Sequence, residues 1–174
     1  MSGATSQFDF RKTCWGMGRA EVSASEGGQP DYEDELILMF SGAVGGLSCH
    51  IGYVFIHDHL VIAKYVFTQP HSNLNDYIDD YLKVQGLLSK KYGHPATSDQ
   101  TWKNDLYASD VEQWGFAISI GHLKYASTWS TERSTIGLVL DGENYSVRLM
   151  VEYFSTEHRQ LVRDHQQEQE LEDF

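Results

Sequence analysis

Residues 47–67 read LSCHIGYVFIHDHLVIAKYVF. In the first part Leu47, Cys49, Ile51, Tyr53 and Phe55 occupy every second position, the period at which a strand sends its side chains to one face. The second part, Leu60 to Phe67, is rich in β-branched and aromatic residues, which suit a pleated, half-buried surface. Between them His57-Asp58-His59 has room only for a tight turn. The stretch therefore predicts an antiparallel hairpin.

Upstream of this hairpin, Glu35 to Phe40 reads as another strand, which the glycine-containing Ser41 to Gly46 is expected to break or bend. Arg19 to Glu26 has mixed helical character and is stopped by Gly27-Gly28. Phe8 and Phe10 alternate with polar neighbours and predict an extended edge. Gln29 to Glu35 is acidic, contains Pro30 and reads as loop.

Downstream, Asn73 to Tyr92 predicts the longest helix. Leu74, Tyr77, Ile78, Tyr81, Leu88 and Tyr92 form its apolar stripe. Asn73 suits its start, Lys90-Lys91 suit its negative end, and Gly93 with Pro95 terminates it. Asp76, Asp79 and Asp80 could do acid–base work as paired carboxylates, but a solvated helix face is the commoner arrangement. Four strands are then expected at Trp114–Ile120, Leu123–Ser130, Thr135–Leu140 and Tyr145–Phe154. Gly121-His122 and Asp141-Gly142-Glu143-Asn144 supply the turns. From His158 to Phe174 glutamine and glutamate dominate, which predicts a solvated helix, partly frayed.

The fold class that follows is α+β. Two helix-plus-antiparallel-sheet units stand in tandem and form one compact domain over residues 8–155, with halves at about 8–68 and 72–155. Residues 156–174 form a polar C-terminal tail.

The 174 residues are 41% hydrophobic and 22% charged, an ordinary globular composition, and carry a formal net charge of −12. A field of that sign repels phosphate backbones and anionic membrane surfaces and attracts a basic protein or a cation. Nucleic acid is therefore not an expected partner, and another protein is. No stretch is apolar for long enough to span a membrane as a helix. The opening Met1 to Gln7 lacks a basic start and an apolar run, which predicts a cytoplasmic chain as it stands. A periplasmic or envelope location follows instead if an export signal has been removed. Cys14 and Cys49 lack zinc-type spacing and either pair in an oxidising compartment or remain thiols.

Phe10-Arg11-Lys12-Thr13-Cys14-Trp15-Gly16-Met17, with Glu21-Val22, resembles the start of small bacterial proteins of unknown function that are often secreted or lipid-anchored. Gly16-Met17 followed by Val22 also resembles the opening of outer-membrane assembly lipoproteins of the SmpA/BamE type. Lys91-Tyr92-Gly93-His94-Pro95 with Trp102 downstream is similar to a second feature of that superfamily. Two such units in tandem would be similar to the beta-lactamase inhibitor protein fold. The resemblance implies a binding or assembly role and assigns no catalytic residue.

For chemistry, His57, Asp58 and His59 carry metal-ligating groups, set against the reading of an exposed polar turn. Cys49 and His50 are adjacent strand residues and face opposite ways, so they do not form a dyad. Gly42-Ala43-Val44-Gly45-Gly46 lacks the lysine and hydroxyl of a phosphate loop, and no Gly-x-Ser-x-Gly elbow is present. No cofactor is expected. Trp102, Trp114 and Trp129 are the candidates for a binding surface, because aromatic side chains concentrate at interface hot spots, and their alternative is sheet packing.

The leading expectation is a non-enzymatic protein-binding or assembly module. The alternatives are a small hydrolase or metal-dependent enzyme using His57, Asp58, His59 or Cys49, and an acidic immunity-type inhibitor of a basic partner.

Overall fold

The computed structural model describes residues 7–174, so the opening Met1–Ser6, read above for a leader, lies outside it. The chain runs through α1 (Arg19–Glu26), β1 (Tyr32–Glu33), β2 (Ile37–Val44), β3 (Leu47–Ile56), β4 (His59–Phe67) and α2 (Asp76–Tyr92). It continues through β5 (Thr97–Trp102), a short 3-10 turn at Val111–Gln113, α3 (Trp114–Ser119), β6 (Leu123–Ser130), β7 (Ser134–Glu143), β8 (Ser146–Ser155) and α4 (Arg159–Glu172). The strands form one eight-stranded sheet in the order β1-β2-β3-β4-β8-β7-β6-β5, with every neighbouring pair antiparallel. This is the α+β class expected. The first and last meanders meet where β4 pairs with β8, from Ile62 opposite Phe154 to Val66 opposite Met150.

The alternation in residues 47–67 is what the sheet uses. Leu47, Cys49, Ile51, Tyr53 and Phe55 are all buried on the face beneath the helices. They join Leu38 and Phe40 of β2, Leu123 and Trp129 of β6, Ile136, Leu138 and Leu140 of β7, and Leu149, Val151 and Tyr153 of β8. On α2 the fully buried residues are Tyr81, Val84 and Leu88, while Tyr77, Ile78 and Tyr92 pack more loosely. Val84 belongs to the stripe although the spacing read above omits it. The Tyr81 hydroxyl and the Ser127 hydroxyl lie 2.6 Å apart beneath α2 and satisfy each other inside the core.

Several boundaries differ from those expected. Ser41 to Val44 continue β2 in pairing with β3, and only Gly45-Gly46 turn. Asp141 to Glu143 likewise stay in β7, where the carboxylate of Asp141 accepts from Nε and Nη2 of Arg148 across the strand pair, at 3.0 and 2.8 Å. The turn falls instead at Asn144-Tyr145, both at positive φ. Phe10 forms no strand. It bridges only to Thr13 and buries its ring against Tyr53, Tyr65 and Tyr153.

The largest correction is Trp114–Ile120, which is α3 and not a strand. A continuous apolar run of this length fits either a buried strand or a buried helix turn, and its surroundings decide. Here α2 decides. Asn75 accepts the Gly115 N–H at 2.7 Å and donates to the Val111 carbonyl at 3.1 Å. A Cβ on Gly115 would stand 2.3 Å from the carbonyl carbon of Leu74, so only glycine permits this approach. The N-cap position of α2 falls at Asn75, whose side chain serves α3, and not at Asn73. The Asn73 side chain accepts the Asn75 N–H at 3.1 Å, and the helix begins at Asp76. β5, which fills the edge left by α3, was not expected. Its residues from Thr97 to Thr101 are exposed and polar.

Candidate functional site

His57-Asp58-His59 is the first constellation to place. His57 and Asp58 make the β3–β4 turn at φ 51° and 59°. Helix α1 begins after Gly18, which has no side chain to cap it. The Asp58 carboxylate does so from a distance, accepting the Arg19 N–H at 2.9 Å. A Cβ at position 18 would lie 2.8 Å from that carboxylate, so the missing side chain makes room for the borrowed cap. His59 turns the other way, with Nδ1 3.3 Å from the Gly16 carbonyl and its ring 6.0 Å from that of His158. The three side chains do not converge. No group of three or more His, Cys, Asp or Glu among the described residues is placed to hold a metal ion.

The tryptophans separate. Trp129 is 1% exposed, and its indole N–H donates to the Gly93 carbonyl at 2.9 Å. It is a core residue that ties β6 to the end of α2, and its ring reaches no surface. Trp102 and Trp114 are half-buried and meet edge to face at 5.8 Å, and the Trp114 indole donates to the Ala108 carbonyl at 3.3 Å. This pair packs the β5 margin against α3.

Two polar groupings escaped the sequence reading. Glu26, at the end of α1, accepts from Arg11 at 2.8 Å and from the Tyr53 hydroxyl. Partial burial pulls the Arg11 pKa down, but Glu26 and the Tyr65 hydroxyl outweigh it and hold the guanidinium more firmly charged than usual. Burial, then the Glu26 hydrogen bond, pushes the Tyr53 phenol far above its ordinary value. Burial also raises the neighbouring Cys49 thiol, with Arg11 opposing it weakly. Cys14 and Cys49 are both free thiols. The grouping stitches α1 to the sheet beneath it.

The second grouping lies on α2. His71 Nε2 stands 2.5 Å from Asp80, with Asp76 at 3.8 Å from Nδ1 and the Tyr77 ring edge-on at 4.8 Å. The His71 and Asp80 side chains are only 18% and 13% exposed. Asp79 is exposed as expected. Asp80 is not, and the reading of it as a solvated residue is corrected.

Helices α1, α2 and α3 all lie on one face of the sheet. The opposite face presents three cross-strand rows. Ile37, Val54, Ile62, Phe154 and Thr135 form one, Met39, Gly52, Lys64, Glu152 and Gly137 the next, and Ser41, His50, Val66, Met150 and Val139 the third. The apolar members lie across the middle of the sheet, and Phe154 is 37% exposed. Helix α4 approaches this face, reaching β3 and lying beside Phe154. Val162, Arg159 and Arg163 share a cavity of about 280 Å³ there with Phe154 and Thr135. Arg159 also donates to the Thr135 hydroxyl at 3.2 Å.

No protein-family model matches the chain, and no curated protein or solved structure does either. No helix among the described residues is long and apolar enough to cross a membrane.

Proposed function

We propose that the chain is a non-enzymatic protein-binding module, and that the open face of its sheet takes a partner with an apolar centre and a basic rim. The observation that carries this is the apolar band of Val54, Ile62, Val66, Val139, Met150 and Phe154 on a face that no core helix covers. Contiguous apolar surface rimmed by polar groups is the usual mark of an interaction site. The partner's charge is argued from the net −12 and from the acidic balance of the C-terminal segment, whose two arginines are the charges nearest the band. Glu157, Asp164, Glu168, Glu170, Glu172 and Asp173 outnumber Arg159 and Arg163 in that segment. Attraction of this kind guides encounter and register, while the apolar centre supplies most of the affinity. The chain order also supports reading it as two helix-plus-sheet units, since α1 precedes one meander, α2 precedes the other, and they join edge to edge at β4 and β8.

The test is affinity capture with the wild-type chain and with Met150→Glu and Val66→Glu, which place a charge in the band without touching the covered core. A basic partner should be retained by the wild type, lost from both variants and released progressively as salt rises. Retention by the variants equal to that of the wild type would remove the open face from the reading. Salt-independent retention would remove the basic rim.

A further inference from the structure

At one end of the open face, where β6 begins and the β7–β8 hairpin turns, lies a cavity of about 500 Å³. That volume falls within the range of small-ligand sites. Its lining includes Lys103, Lys124, Asp141, Arg148, Glu143 and Asn144. In a chain with net charge −12, a cavity that gathers three cations against two carboxylates stands out from its surroundings.

The pairing makes the cations unequal. Arg148 is already paired, since Asp141 accepts from both Nε and Nη2 of its guanidinium. Asp141 is so engaged, Glu143 makes no ion pair, and neither the Lys124 nor the Lys103 side chain has an ion pair or hydrogen-bond partner among the described residues. Their positions are also close. Thr101 pairs with Lys124, and the Lys103 N–H bonds the His122 carbonyl, so the two lysines are diagonal neighbours on the open face. Diagonal positions lie roughly 7–8 Å apart, close enough for long side chains to converge on one group. Two ammonium groups that can reach one point favour an anion placed between them.

We propose that this cavity binds a small anionic ligand, whose phosphate or carboxylate bridges Lys103 and Lys124 and whose hydroxyl groups donate to Glu143 and Asn144. The Asp141–Arg148 pair lines the opposite side of the cavity from the lysines' strand pair. The proposal is independent of the protein-binding reading, because the apolar band contributes nothing to it.

The experiment is an amide-resolved NMR titration of the full chain at constant ionic strength with inorganic phosphate, glycerol 3-phosphate and citrate. Saturable shifts at Gly121, Gly142 and Asn144 are expected. The Lys103→Met/Lys124→Met double variant, which keeps the exposed stems and removes both charges, should weaken binding about tenfold or more. A Lys90→Met/Lys91→Met control on α2 should bind as the wild type does. Tighter binding of glycerol 3-phosphate than of inorganic phosphate supports the hydroxyl contacts, and equal binding overturns that part of the assignment. Shifts that stay linear up to about 20 mM for all three probes, or that are unchanged in the Lys103/Lys124 variant, overturn the site.

Discussion

Asp58 offers the sharpest test of how the β3–β4 turn works, because it satisfies two demands at once. Its carboxylate caps α1 through the Arg19 N–H at 2.9 Å, and its backbone sits at φ 59°. Removing a cap costs about 1 kcal/mol, within a range of roughly 0.5–2. Holding an ordinary L-residue in the left-handed region costs about 1–2 kcal/mol, which Asp, Asn and Gly largely avoid. The substitutions therefore rank. Asp58→Asn keeps the acceptor and the backbone preference and loses only the charge at the helix start, about 0.3–1 kcal/mol. Asp58→Gly keeps the backbone and loses the cap, about 1 kcal/mol. Asp58→Ala loses both, about 2–3 kcal/mol, or a fall of roughly 5–10 °C in Tm for a chain of this size.

Urea midpoints at constant slope measure the series. Gly18→Ala adds a cross-check, since its Cβ would crowd the same carboxylate at 2.8 Å. It should cost about as much as losing the cap, and in combination with Asp58→Gly it should add little, because both remove one interaction. Asp58→Ala within about 0.5 kcal/mol of the wild type would show that the borrowed cap is not formed. Equal costs for Gly and Ala would show that the turn carries no backbone strain.

Two further outcomes are expected. Asp80→Asn should cost about 1–3 kcal/mol by breaking a charge-assisted pair with half-buried His71, whereas exposed Asp79→Asn should stay within about 0.5; equal urea midpoints for the two would refute the pairing. Burial raises the phenols of Tyr53, Tyr65, Tyr81, Tyr125 and Tyr153, so on raising the pH the unfolded chain gives up its tyrosine protons first, near the ordinary value of 10.0. Their contribution is therefore complete below that value and is lost as pH climbs through the raised values, and urea midpoints should fall steeply above about pH 10; a flat profile would refute their burial.

What was legible in the sequence is what has one dry face. Residues 47–67 alternate because the helices cover one side of β3, and the α2 stripe is regular because it lies on that same side. Elements without such a contrast were not legible. β5 is an edge strand of exposed polar residues, so no alternation marks it. α3 is apolar on most sides because the β6–β8 strands and α2 enclose it, and its type was set by Asn75, about forty residues away in the chain. The site residues divide in the same way. Asp58 reads correctly as a turn residue, but a local reading pairs its carboxylate only with His57 and His59, while its partner is Arg19, which only the fold brings near. Lys103 and Lys124 drew no attention because register, not spacing, makes them neighbours.

The two proposed surfaces lie at opposite ends of β8. Arg148 stands at the cavity and Phe154 beneath α4, about 20 Å apart at the rise of an extended strand. Unpaired lysines therefore mark one end of the open face, and the other carries a helix of net negative charge whose Arg159 and Arg163 stand nearest the band, with the apolar residues between them. A surface polarised in this way discriminates orientation as well as identity. A partner that docks with its basic rim towards α4 places its far edge over Lys103 and Lys124, where a second basic group would be repelled and an acidic one accepted. Reversed docking sets like charges together at both ends, which costs far more than one mismatch in the middle. On the proposed reading the charge layout would set the direction of docking, while the apolar band, which runs across β4 and β8 without a charge of its own, would not.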